Sequence, residues 1–154
     1  MELVGKLNRH LANWFVMYTK LHSYHWYVNG SSFFVLHKRF AKLNRYSHEV
    51  IDEVAEQILV MKNTPIATIA EALKLATVAE ALDSATLAEE TNVKNSEEMV
   101  KQIIIDFRIL IIELTEIIEL AEIQKYQGIA DMALGIQSKL ETEIWKLSSC
   151  LTGE

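Results

Sequence analysis

Two histidines stand close together early in the chain, His25 in the stretch HSYHWY and His37 in FFVLHKRF, and IDEVAEQ then supplies Asp52 and Glu56. Imidazole nitrogens and carboxylate oxygens together suit ferrous iron, and also manganese or zinc, and two carboxylates offset the charge of one divalent ion. The same residue types also serve as hydrogen-bonded polar groups of an ordinary helical protein, because a buried imidazole or carboxylate needs a partner wherever it lies. Which reading holds depends on what the carrying elements can bring together.

On a helical wheel of about 100° per residue, Ala41, His48, Asp52 and Glu56 fall within about a quarter-turn of His37. Asp52 and Glu56 are one turn apart and can hold one ion or adjacent ions. His37 cannot join them within one chain: His37 and Glu56 are separated by roughly 28 Å along a helix rising 1.5 Å per residue, whereas metal–ligand bonds are about 2 Å long. Two antiparallel copies of this helix about a two-fold axis would remove the difficulty. His37 of one chain would then lie beside Asp52 and Glu56 of the other, with two identical sites per dimer. His25, just across the VNGSS turn, could reach the same spot as His37.

The elements that position these residues are helices. Leu3, Leu7, Leu11, Trp14, Tyr18, Leu21 and Val28 form one stripe, ended by Gly30 and two serines. Leu36, Phe40, Leu43, Val50, Val54, Ile58 and Met61 form a second, which ends before KNTPIAT. A short amphipathic piece, TIAEALKLA at 68–76, sits in a long connection reaching to about residue 95. Ile103, Ile104, Phe107, Leu110, Ile111, Leu114, Ile117 and Ile118 mark a third long helix, for which Asn95 or Ser96 is the expected N-cap. A fourth runs from near Gly128 to Leu151. Only the second connection is long enough to cross a bundle, so the expected fold is all-α: an up-down-down-up four-helix bundle with a short helix in the crossover between the second and third helices. Ile105, Ile109 and Ile112 lie off the main stripe, either as extra core under the crossover or as an oligomer contact.

With 154 residues, half of them apolar, the chain reads as one domain spanning 1–154. The apolar run at 103–123 is interrupted by Asp106, Arg108 and four glutamates, so no membrane span is expected. The N-terminal residues are amphipathic without a signal-peptide core. A single cysteine, Cys150, excludes an internal disulfide, points to the cytoplasm, and reads as an inert thiol.

At the same residues the sequence resembles the Dps family, the DNA-protecting mini-ferritins of starved bacteria. NWFVMYTKLHSYHWYVNGSSFFVLHKRF, together with IDEVAEQILVMKNTPIATIAEAL, is similar to that family's signature over about residues 8–75. The helix pattern agrees along the whole chain, including IWKL in the last helix. The resemblance implies a ferritin-like four-helix bundle and a hollow dodecamer built from two-fold dimers. It also implies oxidation of Fe(II), preferably by hydrogen peroxide, with ferric iron stored in the cavity as protection against oxidative damage. His25 and His37 of one subunit would hold iron with Asp52 and Glu56 of its neighbour, and Trp26 would lie beside the metals as a sink for oxidising equivalents. Zinc or manganese at the same site is not excluded by the ligand set.

One ligand departs from the pattern. The family usually has an Asp four residues after the second histidine, where this chain has Ala41. One ion should therefore bind well and a second weakly, which implies slower ferroxidase activity, or a structural or DNA-compacting shell with a decayed iron site. His48, one turn before Asp52, could substitute or be a surface histidine near the two-fold axis. Glu122 and Asp131 match the acids of the family's three-fold pores, while Gln127 stands where another acid is common; otherwise the two are solvated helix acids.

Nucleic-acid binding rests on neutralising phosphates with Lys and Arg. The net charge is −6, only Lys6 and Arg9 are basic among the first ten residues, and the strongest basic feature is Lys38, Arg39, Lys42 and Arg45 on the second helix. DNA binding is therefore expected to be weak or absent. Linear DNA should run unretarded in a gel shift near physiological salt, and a shift at micromolar protein would contradict that expectation.

Overall fold

The computed structural model describes residues 2–89 and 93–151, and no strand occurs among the described residues. The helices are α1 (Glu2–Tyr27), α2 (Phe33–Val60), α3 (Ile69–Leu75), α4 (Ser84–Glu89), α5 (Val93–Ile123) and α6 (Gln127–Leu151). Helices α1 and α2 form one hairpin, α5 and α6 another, and α1 packs along α5. The direction of that packing follows from its cross-links. Lys6 meets Glu116, His10 meets Glu113 and Lys20 meets Asp106, so α5 descends as α1 rises. This is the expected up-down-down-up bundle, and none of the described helices is long and apolar enough to cross a membrane.

Helix ends follow local chemistry. Gly30 adopts φ 91, open to a residue without a side chain, and turns the chain between α1 and α2. At the end of α2 the Asn63 N–H donates to the Ile58 carbonyl and the Lys62 N–H to that of Leu59, with Lys62 at φ 62. The end of α5 repeats this pattern: Tyr126 donates to Ala121, Lys125 to Glu122, and Lys125 lies at φ 63. Such paired bonds satisfy the orphan carbonyls of a last turn. Thr68 caps α3 by accepting from the Glu71 N–H while its hydroxyl donates to the Glu71 carboxylate.

One expectation, the cap of α5, is corrected, and two others are refined. The crossover holds two short helices, α3 and α4, because Asp83 accepts from the Thr86 N–H and starts a second helical segment; the bonds that Thr86 and Ala85 donate also lower the pKa of this exposed carboxyl. Helix α5 starts at Val93, so Asn95 and Ser96 lie buried within its first turn and are not its caps. Ile105 and Ile112 are 51% and 64% exposed, so they are not core beneath the crossover; only Ile109 packs against the core.

The core follows the expected stripes except at Tyr18, which lies outside it, with Trp14 lying against Phe107 and Tyr46 at its centre. Threaded through it is a polar seam. Lys20 Nζ lies 2.8 Å from Asp106 Oδ2, each side chain only 1% exposed, and Gln102 donates to the other Asp106 oxygen. Trp14 Nε1–H donates to His10 Nε2, which leaves the His10 proton on Nδ1, 2.6 Å from Glu113 Oε1. Asn13 donates to both Glu113 oxygens, and its own oxygen accepts from the Thr77 and Val78 N–H groups. Asn8 accepts from the Ile66 N–H and donates to the Thr64 carbonyl. Two asparagines of α1 thus moor the crossover to the bundle.

A buried ion pair stripped of one partner leaves an uncompensated charge. Lys20→Met should therefore lower unfolding free energy by about 3–5 kcal/mol, measured by denaturant at fixed protein concentration. Lys20→Met with Asp106→Leu should recover most of that loss. Equal losses in the single and double variants would mean that the pair is not what holds α1 to α5.

Candidate metal centre

The Gly30 turn carries α2 back along α1, so the last turn of α1 faces the first turns of α2. There His25 and His37 stack, with ring centroids 3.9 Å apart and planes 14° from parallel. Each Nδ1 is 2.7 Å from the other histidine's main-chain carbonyl oxygen. A carbonyl can only accept, so both Nδ1 atoms carry hydrogen and, in the neutral rings, both Nε2 atoms keep a lone pair. Phe33 stacks on His37 at 4.7 Å and further restricts its rotation. A ligating histidine is oriented in just this manner, by a hydrogen bond from the nitrogen that does not bind the metal. The two rings are half-buried and form a fixed pair of nitrogen donors.

Asp52 and Glu56 lie farther along α2 with exposed side chains. They do not meet the histidines within the chain: among the described residues no three His, Cys, Asp or Glu side chains converge as a metal cluster. His48 Nε2 lies 3.9 Å from Asp52 Oδ2, both side chains 66% exposed, a loose surface pair of little energetic weight. Ala41 presents a half-buried methyl group, with no donor atom. Trp26 is exposed, and Cys150 is a free, exposed thiol.

His22 was not singled out by the ligand spacing. It stacks on Trp26 at 5.1 Å and meets Tyr18 edge-on at 4.9 Å, and Tyr18 in turn lies 6.4 Å from His48. The signal for this aromatic row was the spacing of Tyr18, His22 and Trp26, four residues apart and so on one helix face. Glu122 and Asp131 are both exposed and flank the α5–α6 turn, where Asp131 accepts from the Gln127 side chain.

The outer face of α2 is apolar at its ends. Phe34 and Val35 at its start and Leu59 and Val60 at its end are exposed, with Asp52 and Glu56 between them. Exposed apolar residues at both ends of one helix mark a surface suited to cover by another chain.

Comparison with known proteins agrees with this architecture. A family model described as the ferritin-like domain matches residues 4–153. The chain is 36% identical over 150 residues to DNA protection during starvation protein 2 of Bacillus anthracis, covering 97% of each chain. The crystal structure of a Dps protein from Bacillus brevis superposes with a TM-score of 0.88 at 37% identity, covering 97% of this chain and 94% of that one. The Dps protein of Vibrio cholerae O1, described as a member of a broad superfamily of ferritin-like diiron-carboxylate proteins, superposes with a TM-score of 0.87 at 29% identity, covering 97% and 89%. A domain match along almost the full length, joined to more than one-third identity with proteins of that name, means that this chain belongs to the ferritin-like family as one of its Dps members.

Proposed function

We propose that this protein is a ferroxidase and iron store whose site is shared between two chains. The observation that carries the reading is the reciprocal His25–His37 pair, which holds two Nε2 donors ready and, among the described residues, has no carboxylate of its own chain to complete a cluster. An antiparallel partner would supply one. With α2 laid against α2 about a two-fold axis, the apolar start of one helix meets the apolar end of the other, and Asp52 and Glu56 approach the partner's histidine end. The same two-fold relation generates a second, identical site.

Fe(II) is the substrate. Two imidazoles and two carboxylates offer it a mixed nitrogen and oxygen set, and the carboxylates favour the more highly charged ferric product. Each hydrogen peroxide accepts two electrons, one from each of two ferrous ions; its O–O bond breaks and two protons complete two waters. Trp26, an oxidisable indole stacked on His22, sits where it could intercept stray oxidising equivalents. Twelve such chains forming a hollow shell would store the ferric product, with Glu122 and Asp131 drawing cations in at the three-fold pores. Consumption of Fe(II) and peroxide together limits hydroxyl-radical damage.

Ala41 favours a second reading, a shell that shields DNA and whose iron site has decayed, in keeping with the name of its Bacillus anthracis relative. Iron content after aerobic loading, or anomalous scattering at the iron edge, separates the two: a particle that takes up no iron at these residues is a shell alone.

Ala41→Asp should raise the number of Fe(II) ions bound per chain and speed peroxide-driven oxidation. If it changes neither, the missing carboxylate is not what limits the site. Sharing of the site is tested by mixing inactive chains. His37→Ala and the double variant Asp52→Ala with Glu56→Ala should each lose oxidation roughly tenfold or more, the scale on which metal sites respond to lost support. Co-assembled at random, they should recover about a quarter of the intact sites, because only a mixed two-fold pair rebuilds one of its two. A mixture as inactive as its parents would place the site within one chain.

A further inference from the structure

Among the described residues, one buried carboxylate has oxygens that its surroundings do not satisfy. Glu143 on α6 is 0% exposed, and neither of its oxygens accepts a hydrogen bond. Three cations approach it, Arg39 at 3.6 Å, Lys139 at 3.5 Å and Lys146 at 3.7 Å, and all three approach the same oxygen, Oε1. They offset its charge from beyond good hydrogen-bonding distance and leave Oε2 without a donor.

Glu143 lines a cleft of about 220 Å³ between α2 and α6, together with Arg39, Lys42, Arg45, Lys139 and Glu49. Four cations against two carboxylates leave an excess of two positive charges. Lys42 and Arg45 are exposed and make no ion pair within 4 Å among the described residues, although Glu49 lies one turn after Arg45 on the same helix. The Tyr46 ring forms part of the wall beneath Lys139, 5.6 Å from its Nζ. Burial, reinforced by the charges of Glu53 and then Glu49, raises the Tyr46 pKa and keeps its hydroxyl protonated.

We propose that this cleft is a binding site for inorganic phosphate. A hydrogenphosphate dianion matches the excess charge, and its oxygens suit the guanidinium of Arg39 and the ammonium groups of Lys42 and Lys139. The carboxylate singles out phosphate among oxyanions. Hydrogenphosphate carries a P–OH that can donate to Glu143 Oε2 once the buried carboxylate turns toward the cleft that it lines; sulfate at neutral pH has no hydrogen to donate and would set its oxygens against a negative charge. A nucleic-acid phosphodiester lacks that proton as well, so the same carboxylate disfavours a DNA backbone in the cleft. Discrimination arises here from a repulsion built against the wrong ligand.

The test uses the metal-free assembled protein, titrated with sodium phosphate and with sodium sulfate at constant ionic strength, followed by calorimetry and by ³¹P line broadening. Phosphate should bind saturably and at least about tenfold tighter than sulfate, the scale of one charge-assisted hydrogen bond. Lys42→Ala, on the exposed rim, should weaken phosphate by about tenfold. Glu143→Gln, whose amide can donate to an anion, should bring sulfate to within about threefold of phosphate; should that variant not fold, the wild-type preference and Lys42→Ala decide alone. Three results would overturn the proposal: no saturable phosphate binding, which makes the cluster a closed ion-pair network; equal affinity for sulfate in the natural protein; or oligonucleotide binding that depends on Lys42 while inorganic phosphate does not bind.

Discussion

Charge is tolerated inside a helical bundle only when it is paired, and in this protein α1 supplies the partners. Lys20 answers Asp106, and His10 and Asn13 answer Glu113. These pairs lie at successive levels along α1, so they set both the register of α1 against α5 and its direction. Asn13 also holds the backbone at Thr77 and Val78, which keeps the crossover in place. The hydrophobic stripes alone would allow α1 to slide a turn along α5. The polar seam does not, because a slip would leave Lys20, Asp106, His10, Asn13 and Glu113 without these partners.

That register has a functional consequence at the far end of α1. With α1 anchored, the Gly30 turn returns α2 along it, and His25 and His37 bind each other's carbonyls across the turn. The pair is self-bracing: each ring is oriented by the backbone of the residue that carries the other. Nitrogen donors on such a scaffold lose little freedom on meeting an ion. The carboxylates lie elsewhere on α2 because one helix cannot fold back on itself, and that limit makes assembly part of the proposed chemistry.

The distribution of charge along α2 divides the helix between two uses. Asp52 and Glu56 lie on the exposed face near its C-terminal end, whereas Arg39, Lys42 and Arg45 border the cleft against α6. The proposed carboxylate ligands and the proposed anion cleft lie at different levels of α2, with Arg39, Lys42 and Arg45 in its first half and Asp52 and Glu56 in its second. The chain's net charge of −6 conceals this local basic character.

Much of this was legible in the sequence. The apolar spacing placed all four long helices, Gly30 and the segment around Pro65 marked breaks, and the crossover length selected the bundle topology. The residue types at His25, His37, Asp52 and Glu56, with the segment length between them, pointed to a metal site closed only by two chains, which is the reading proposed above. Other features were decided only by the tertiary structure. Asp106 and Glu113 read as interruptions of an apolar run, and nothing in the spacing singled out Glu143, yet all three are buried. The reciprocal histidine bonds use backbone carbonyls, which carry no residue signature, and the basic cleft joins Arg39 to Lys139 from opposite ends of the chain. The physical reason is one of range. Helical periodicity is written in neighbours three and four apart, while the partner of a buried charge is chosen by which helices pack together and in what register.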